Sequence, residues 1–237
     1  MRDIKAQLAS IDWEAARTVL HDNGFVTVKN VLDKATCEAL IAAYKADNTY
    51  RKTITMERYR FGLGEYKYFR YPLPQLITDI RETIYEQIAP VANAWMKELN
   101  IDQQFPASHA AMLEQCRSNQ QVHPTVLILK YGKGGFNTLH QDLYGEVFFP
   151  MQMVFMLDQE GVDYTGGEFV ITEQIPRAQS KANVLKPGMG DLLLFTTNFR
   201  PVKGSRGYYR VSMKHGVSPL HSGHRHSLGI IFHDAKT

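Results

Sequence analysis

From Pro124 to its end, the chain is a series of short β-branched and aromatic runs separated by turn residues. No other feature limits the fold as much. "TVLILKY" (125–131), "VFFPMQMVFML" (147–157), "GEFVIT" (167–172), "DLLLFTT" (191–197), "YYRVSMKHGV" (208–217) and "SLGIIFHD" (227–234) each have strand length, with Gly, Pro, Asn and Asp between them. Regularly spaced short strands with turn signals specify a β-sandwich or a barrel.

The first 123 residues read differently. "DWEAARTVLHDNGF" (12–25) places apolar residues at helical spacing and stops at Asn23-Gly24, a C-cap signal. "VTVKNVL" alternates like a short strand. "DKATCEALIAAYKAD" is helical and opens on Asp33, a good N-cap residue. "LPQLITDIRETIYEQIAPVANAWMKELN" (73–100) is a long amphipathic helical region that should break near Pro90. The expected class is α+β: one domain over residues 1–237, with a mainly helical support (1–123) packed on a β-core (124–237).

Composition sets outer limits. Of 237 residues, 44% are hydrophobic and 22% charged, which is ordinary for a globular protein with its own core. Cys37 and Cys116 form no CxxC and no paired framework, so both are read as reduced thiols, with a cytoplasmic location. The N-terminus lacks an apolar signal region, and no uncharged apolar run reaches 18 residues, so no membrane is involved. A net charge of +3 is too small to imply a polyanionic partner.

Within the β-core, "KYGKGGFNTLHQDLYGE" sets His140 and Asp142 two residues apart after a glycine-rich loop. In extended backbone such residues share a face. One imidazole and one carboxylate make two-thirds of a facial metal triad, and a histidine from a distant strand would complete it. Alone, such a pair is more often a surface ion pair or a turn cap. The distal segment offers His215, His221, His224, His226 and His233, of which His215 ends a strand. Ten residues later Arg225 enters the last strand, where its fork suits a dicarboxylate held in two parallel hydrogen bonds. Tyr131 stands nine residues before His140 and has a hydroxyl to offer the same carboxylate.

The pattern Y-x-x-G…H-x-D…G-G-E-F…G-D…H-x9-R over residues 124–234 resembles the Fe(II)- and 2-oxoglutarate-dependent oxygenases. "GEYKYFRYPLP", "LHQDLYGE", "TGGEF", "RPVKGSRGYYRV", "KHGVSPL" and "LGIIFHDA" are similar to hallmarks of a bacterial 2-oxoglutarate–iron oxygenase family linked to alkylated nucleic acid, extending the likeness to residues 50–237. The resemblance implies a double-stranded β-helix (jelly roll) with Fe(II) on His140, Asp142 and His215. It implies 2-oxoglutarate on Arg225 and Tyr131, with Lys214 the next candidate anchor, and O2 as the second cosubstrate. Succinate and CO2 would be released, and a carboxylate at Asp142 implies hydroxylation or hydroxylation-driven demethylation rather than halogenation. The chain departs from the AlkB-type demethylases in carrying Leu129 at an asparagine position, and its His215–Arg225 spacing is closer to prolyl-hydroxylase-like members.

The remaining candidates have plainer readings. His221, His224 and His226 are expected in an exposed loop or at the mouth, and His233 in hydrogen bonds of the last strand. His109 and His123 have no evident partner. Gly166 to Phe169 and Gly190-Asp191 are read as turns. Residues 50–74 hold seven aromatics and six Lys/Arg against two Glu, a local charge of +4. That segment is read as a β-hairpin or lid with its rings in the core, or as a surface that stacks bases and neutralises phosphates. Three functions stay open: hydroxylase of a protein, amino acid or small molecule; demethylase of alkylated nucleic acid; and non-catalytic metal-binding sensor. Neither the primary substrate nor the oligomeric state can be read.

Overall fold

A computed structural model describes residues 3–237 of the chain. Five α-helices lie in its first half: α1 (Ile4–Ala9), α2 (Trp13–Asn23), α3 (Lys34–Ala43), α4 (Gln75–Glu98) and α5 (His109–Ser118). Capping explains their limits. Asp12 and Asp33 accept hydrogen bonds from the Ala15 and Thr36 amides, and Gly24 closes α2 at φ 77° with its amide bonded to the Leu20 carbonyl.

α4 corrects the expectation of a break at Pro90, because it runs unbroken for 24 residues with Pro90 inside. The proline sits on the exposed face. The opposite face buries Ile77, Ile80, Ile84, Ile88, Ala92 and Trp95. Burying side chains of this size is worth about 1.5–3 kcal/mol each, which outweighs the roughly 3 kcal/mol a helix-interior proline costs.

The strands are β1 (Phe25–Val28), β2 (Tyr50–Thr55), β3 (Gly62–Leu63), β4 (Glu65–Phe69), β5 (Val126–Tyr131), β6 (Phe136–His140), β7 (Met151–Met156), β8 (Tyr164–Gly166), β9 (Phe169–Gln174), β10 (Ser180–Leu185), β11 (Leu192–Thr196), β12 (Phe199–Gly204), β13 (Gly207–Val217), β14 (Leu220–Gly223) and β15 (Arg225–Ile231). A seven-stranded sheet has the order β1-β11-β7-β15-β5-β4-β2, and a six-stranded sheet the order β10-β9-β13-β6-β3, with β12 added beside β13. β8 and β14 form a separate pair. The support is thus less purely helical than its sequence suggests. Residues 50–69 fold into three strands, and β2 and β4 extend the larger sheet through the pairing of β4 with β5.

Alternation along the strands builds two cores. Val126 and Ile128, Met151, Met153 and Phe155, and Leu228 and Ile230 meet the helices. Tyr131, Val154, Met156, Leu193, Phe195 and Met213 face the space between the sheets. Strands covered on both faces read as continuous apolar runs. The buried Arg81 of α4 ties this layer to the end of β15, with Nη2 2.8 Å from Asp234 Oδ1 and Nε donating to the Ile231 carbonyl at 3.0 Å. Among the described residues, no helix is long and apolar enough to cross a membrane.

Candidate active site

β6 and β13 are antiparallel neighbours, and their register sets His140 directly opposite His215. The two rings lie 4.2 Å apart between centroids. Asp142 follows β6 on the same side. Its Oδ2 is 3.2 Å from His215 Nε2 and its Oδ1 3.6 Å from His140 Nε2. One donor atom from each residue falls within 4.8 Å of the others, a spacing able to hold one metal ion. Lys214, the alternative anchor, is exposed on the outer face of β13 and does not reach this space.

Residues around the three fix their orientation. Gln141 donates to the Asn198 and Met213 carbonyls at 3.0 and 2.8 Å, clamping the segment to β13. That role was hidden in the sequence, although the alternation of H-Q-D allows it. His140 Nδ1 donates to the Thr138 carbonyl at 2.7 Å, so the lone pair lies on Nε2. Phe169 stacks parallel to the His215 ring and Phe195 meets it edge-on. Tyr144 donates from its hydroxyl to Asp142 Oδ1 at 2.8 Å.

The electrostatics leave these groups in ligand form. Burial alone would raise the Asp142 pKa, but the His215 hydrogen bond and the two imidazoles hold it well below the usual carboxylate range. Burial, reinforced by His140, pushes the His215 imidazole down. An ionised Asp142 carboxylate beside a neutral His215 imidazole suits a divalent metal.

A cavity of about 230 Å³ opens from these residues into the space between the sheets. Arg225 lies at one end of it, 2% exposed, with its guanidinium carbon 5.6 Å from the centre of the Tyr131 ring. Nη2 contacts the Met156 thioether at 3.2 Å, and Nε and Nη1 have no hydrogen-bond partner. The Tyr164 phenol lies beside the guanidinium. No carboxylate forms an ion pair with Arg225 among the described residues. The Tyr131 hydroxyl also lacks a well-formed partner, and burial raises its pKa to about 12 against the opposing effects of Arg225 and Asn137. Gly167 makes room here: at φ +65°, a Cβ on it would sit 2.6 Å from Leu220 and 3.2 Å from Arg225 Cδ. Leu129 lines the cavity as an apolar wall.

The other histidines separate. His221 and His224 are exposed. His226 is partly buried and pairs through Nδ1 with Asp158 at 2.8 Å. His233 Nδ1 accepts from the Phe149 amide, and His109 Nε2 bonds the Phe232 carbonyl at 2.9 Å, supplying the partner its sequence did not show. His123 is held through its backbone against Ala235.

Residues 50–74 contribute both core and surface. Tyr50, Tyr68 and Phe69 are buried, Arg51 lies over the Tyr68 ring, and Lys67 lies over Tyr44. Tyr59 and Phe61 instead stack on each other in the open, 54% and 45% exposed, with exposed Arg58 and Arg60 alternating with them in sequence. Phe61 lines the cavity mouth with His140 and Leu143.

Residues 64–235 match the family described as oxygenase, catalysing oxidative methylation of damaged DNA. Uncharacterised proteins from two Mycobacterium tuberculosis strains are 42% identical over 167 residues, 70% of this chain and 72% of theirs. Among solved structures, a Pseudomonas putida prolyl-4-hydroxylase aligns at TM-score 0.55 and 15% identity, covering 92% of this chain and 96% of its own. A Burkholderia pseudomallei oxidoreductase of the 2OG-Fe(II) oxygenase family aligns at TM-score 0.52 and 16% identity, covering 95% and 94%. The chain belongs to the matched oxygenase family.

Proposed function

We propose that His140, Asp142 and His215 hold Fe(II), and that Arg225 and Tyr131 bind the far carboxylate of 2-oxoglutarate. The two facing sheets are read as a double-stranded β-helix with the iron in its mouth. The observation that carries the assignment is the buried, unpaired Arg225 guanidinium. A buried charge without a partner costs several kcal/mol, and a thioether is too weak an acceptor to offset that. A carboxylate completes the site, with the Tyr131 hydroxyl as a further donor.

When bound, iron, 2-oxoglutarate and O2 supply the oxidative chemistry that hydroxylates a C–H bond and releases succinate and CO2. The protein's part is geometric and electrostatic. Tyr144 orients the Asp142 carboxylate, the Thr138 carbonyl selects the His140 tautomer, and Phe169 and Phe195 hold the His215 ring in place. Leu129, Val154 and Phe169 help keep the cavity apolar and limit water around the reacting groups.

For the primary substrate, we favour alkylated nucleic acid. Two things support this reading: the DNA-directed description of the matched family, and the open Tyr59–Phe61 stack at the cavity mouth among surface arginines. A base flipped out of its strand would enter beside Phe61. The site assignment is tested by anaerobic titration with Fe(II) and then 2-oxoglutarate, following the visible charge-transfer band. The band is expected in wild type and absent in a folded His215→Ala variant. A folded wild type without the band would overturn the assignment.

A further inference from the structure

Arg225 and Tyr131 occupy one end of the cavity. Tyr66, Leu127, Tyr144 and Ile231 wall another part of it, and Gln152 stands among them. β7 alternates, so Gln152 shares its inward face with Val154 and Met156. It is 3% exposed, and its Nε2 is buried without a hydrogen-bond partner. Interior amides are normally satisfied, so a free one inside a cavity points to a ligand. The tyrosines around it have less to offer. The Tyr144 hydroxyl donates to Asp142, and the Tyr68 hydroxyl donates to Tyr144.

The cosubstrate is badly placed to satisfy Gln152. In the larger sheet Gln152 is the cross-strand partner of Ile231, and Ile231 lies six residues along β15 from Arg225. At strand rise that is roughly 20 Å between the two backbone positions. A five-carbon dicarboxylate anchored on Arg225 and chelating a metal on His140, Asp142 and His215 is used up before Gln152. The free amide therefore belongs to the substrate side.

We propose that Gln152 is a specificity residue, its Nε2–H donating to a neutral carbonyl of the primary substrate. The wall is aromatic and aliphatic, which suits a flat group. The Asp142 carboxylate, bonded to Tyr144, disfavours an anion at this end. An imide or lactam, as on an N-alkylated pyrimidine, has the required chemistry. This inference rests on the site assignment above and on its nucleic-acid reading.

The test compares wild type with Gln152→Leu and Gln152→Met, using a single-stranded thymidine pentamer whose central base is 3-methylthymine. Succinate release against pentamer concentration gives KM, and the charge-transfer band gives 2-oxoglutarate half-saturation. The expected result is a KM raised tenfold or more in both variants, with half-saturation within twofold of wild type. An unchanged KM would overturn the proposal. So would half-saturation raised tenfold, which would make Gln152 a cosubstrate residue. Absence of pentamer-stimulated release in wild type, including the case where a proline-containing peptide stimulates instead, would overturn it as well. Failure of the underlying site assignment is distinguishable, since it removes the band from wild type.

Discussion

Arg225 and Tyr131 face each other across β15 and β5, and Arg225 Nε and Nη1 and the Tyr131 hydroxyl are buried without a well-formed hydrogen bond. The pairing is a product of register: Arg225 opens β15 where Tyr131 closes β5. A fixed fork beside a fixed hydroxyl suits one carboxylate, as proposed for 2-oxoglutarate. Arg225→Ala should raise the 2-oxoglutarate requirement by about 10- to 100-fold, since charge-assisted hydrogen bonds contribute about 1.5–3 kcal/mol. Arg225→Lys should recover only part, because an ammonium is a point charge and not a fork. Titration of the charge-transfer band measures both. An unchanged requirement in Arg225→Ala would move the anchor elsewhere.

Tyr144 acts through Asp142. Its hydroxyl holds Oδ1 and helps keep the carboxylate ionised. Tyr144→Phe keeps the ring packing against Tyr68 and His233 while deleting that bond. Fe(II) affinity should fall about tenfold, the usual effect of removing a partner behind a metal ligand. Anaerobic Fe(II) titration of folded protein tests this, and affinity equal to wild type would show the bond to be incidental.

How much of this was legible in the sequence depends on the range of the interactions. The long strands after Pro124 were readable because β-branched and aromatic runs bounded by turn residues are local signals, and so were the helix caps at Asp33 and Gly24; the shorter or more polar β6, β8, β10, β12 and β14 were not. The grouping of His140, Asp142 and His215 was readable because His140 and Asp142 are two apart and His215 ends a strand ten residues before Arg225. Pro90 misled because the helix survives on packing against sheet residues far along the chain. Tyr144 and Gln141 were missed because their roles depend on where a hydroxyl and an amide point after folding. In sequence Gln152 is one polar residue in an apolar run, and only the position of β7 between β11 and β15 turns it into the cavity.

Acid should destabilise the fold through two histidines remote in sequence. His109 and His233 are held neutral, and burial depresses both to about 3. Unfolded histidine titrates near 6.5, so unfolding takes up a proton at each site between these values. Stability is therefore full above pH 6.5 and declines as pH falls toward 3, by about 1.4 kcal/mol per pH unit for each histidine. Protonating His233 Nδ1 would also remove the acceptor of the Phe149 amide. Denaturant unfolding at pH 7, 6, 5 and 4 should show the decline. His109→Gln retains a donor for the Phe232 carbonyl and should lessen the slope between pH 6 and 4, with His233 and His215 carrying the rest. A slope equal to wild type would mean that other groups carry the acid sensitivity.

The rim of the cavity gives a prediction that separates the substrate classes. Burial explains Tyr50, Tyr68 and Phe69, but Tyr59 and Phe61 remain stacked at 5.5 Å and open to solvent. Exposed ring faces beside arginines bind bases by stacking and phosphates by charge, each stacked base being worth about 1–3 kcal/mol. Tyr59→Ala with Phe61→Ala should weaken binding of a fluorescent ten-residue oligothymidylate tenfold or more while leaving the melting temperature nearly unchanged, since neither ring is core. Arg58→Gln with Arg60→Gln should instead flatten the dependence of binding on salt, because each lost phosphate contact releases fewer counterions. Fluorescence anisotropy at several salt concentrations reads both effects. If wild type does not bind the oligonucleotide even at low salt, the rim serves another partner and the nucleic-acid reading falls, while the proposed iron site, which shares no ligand with the rim, stands.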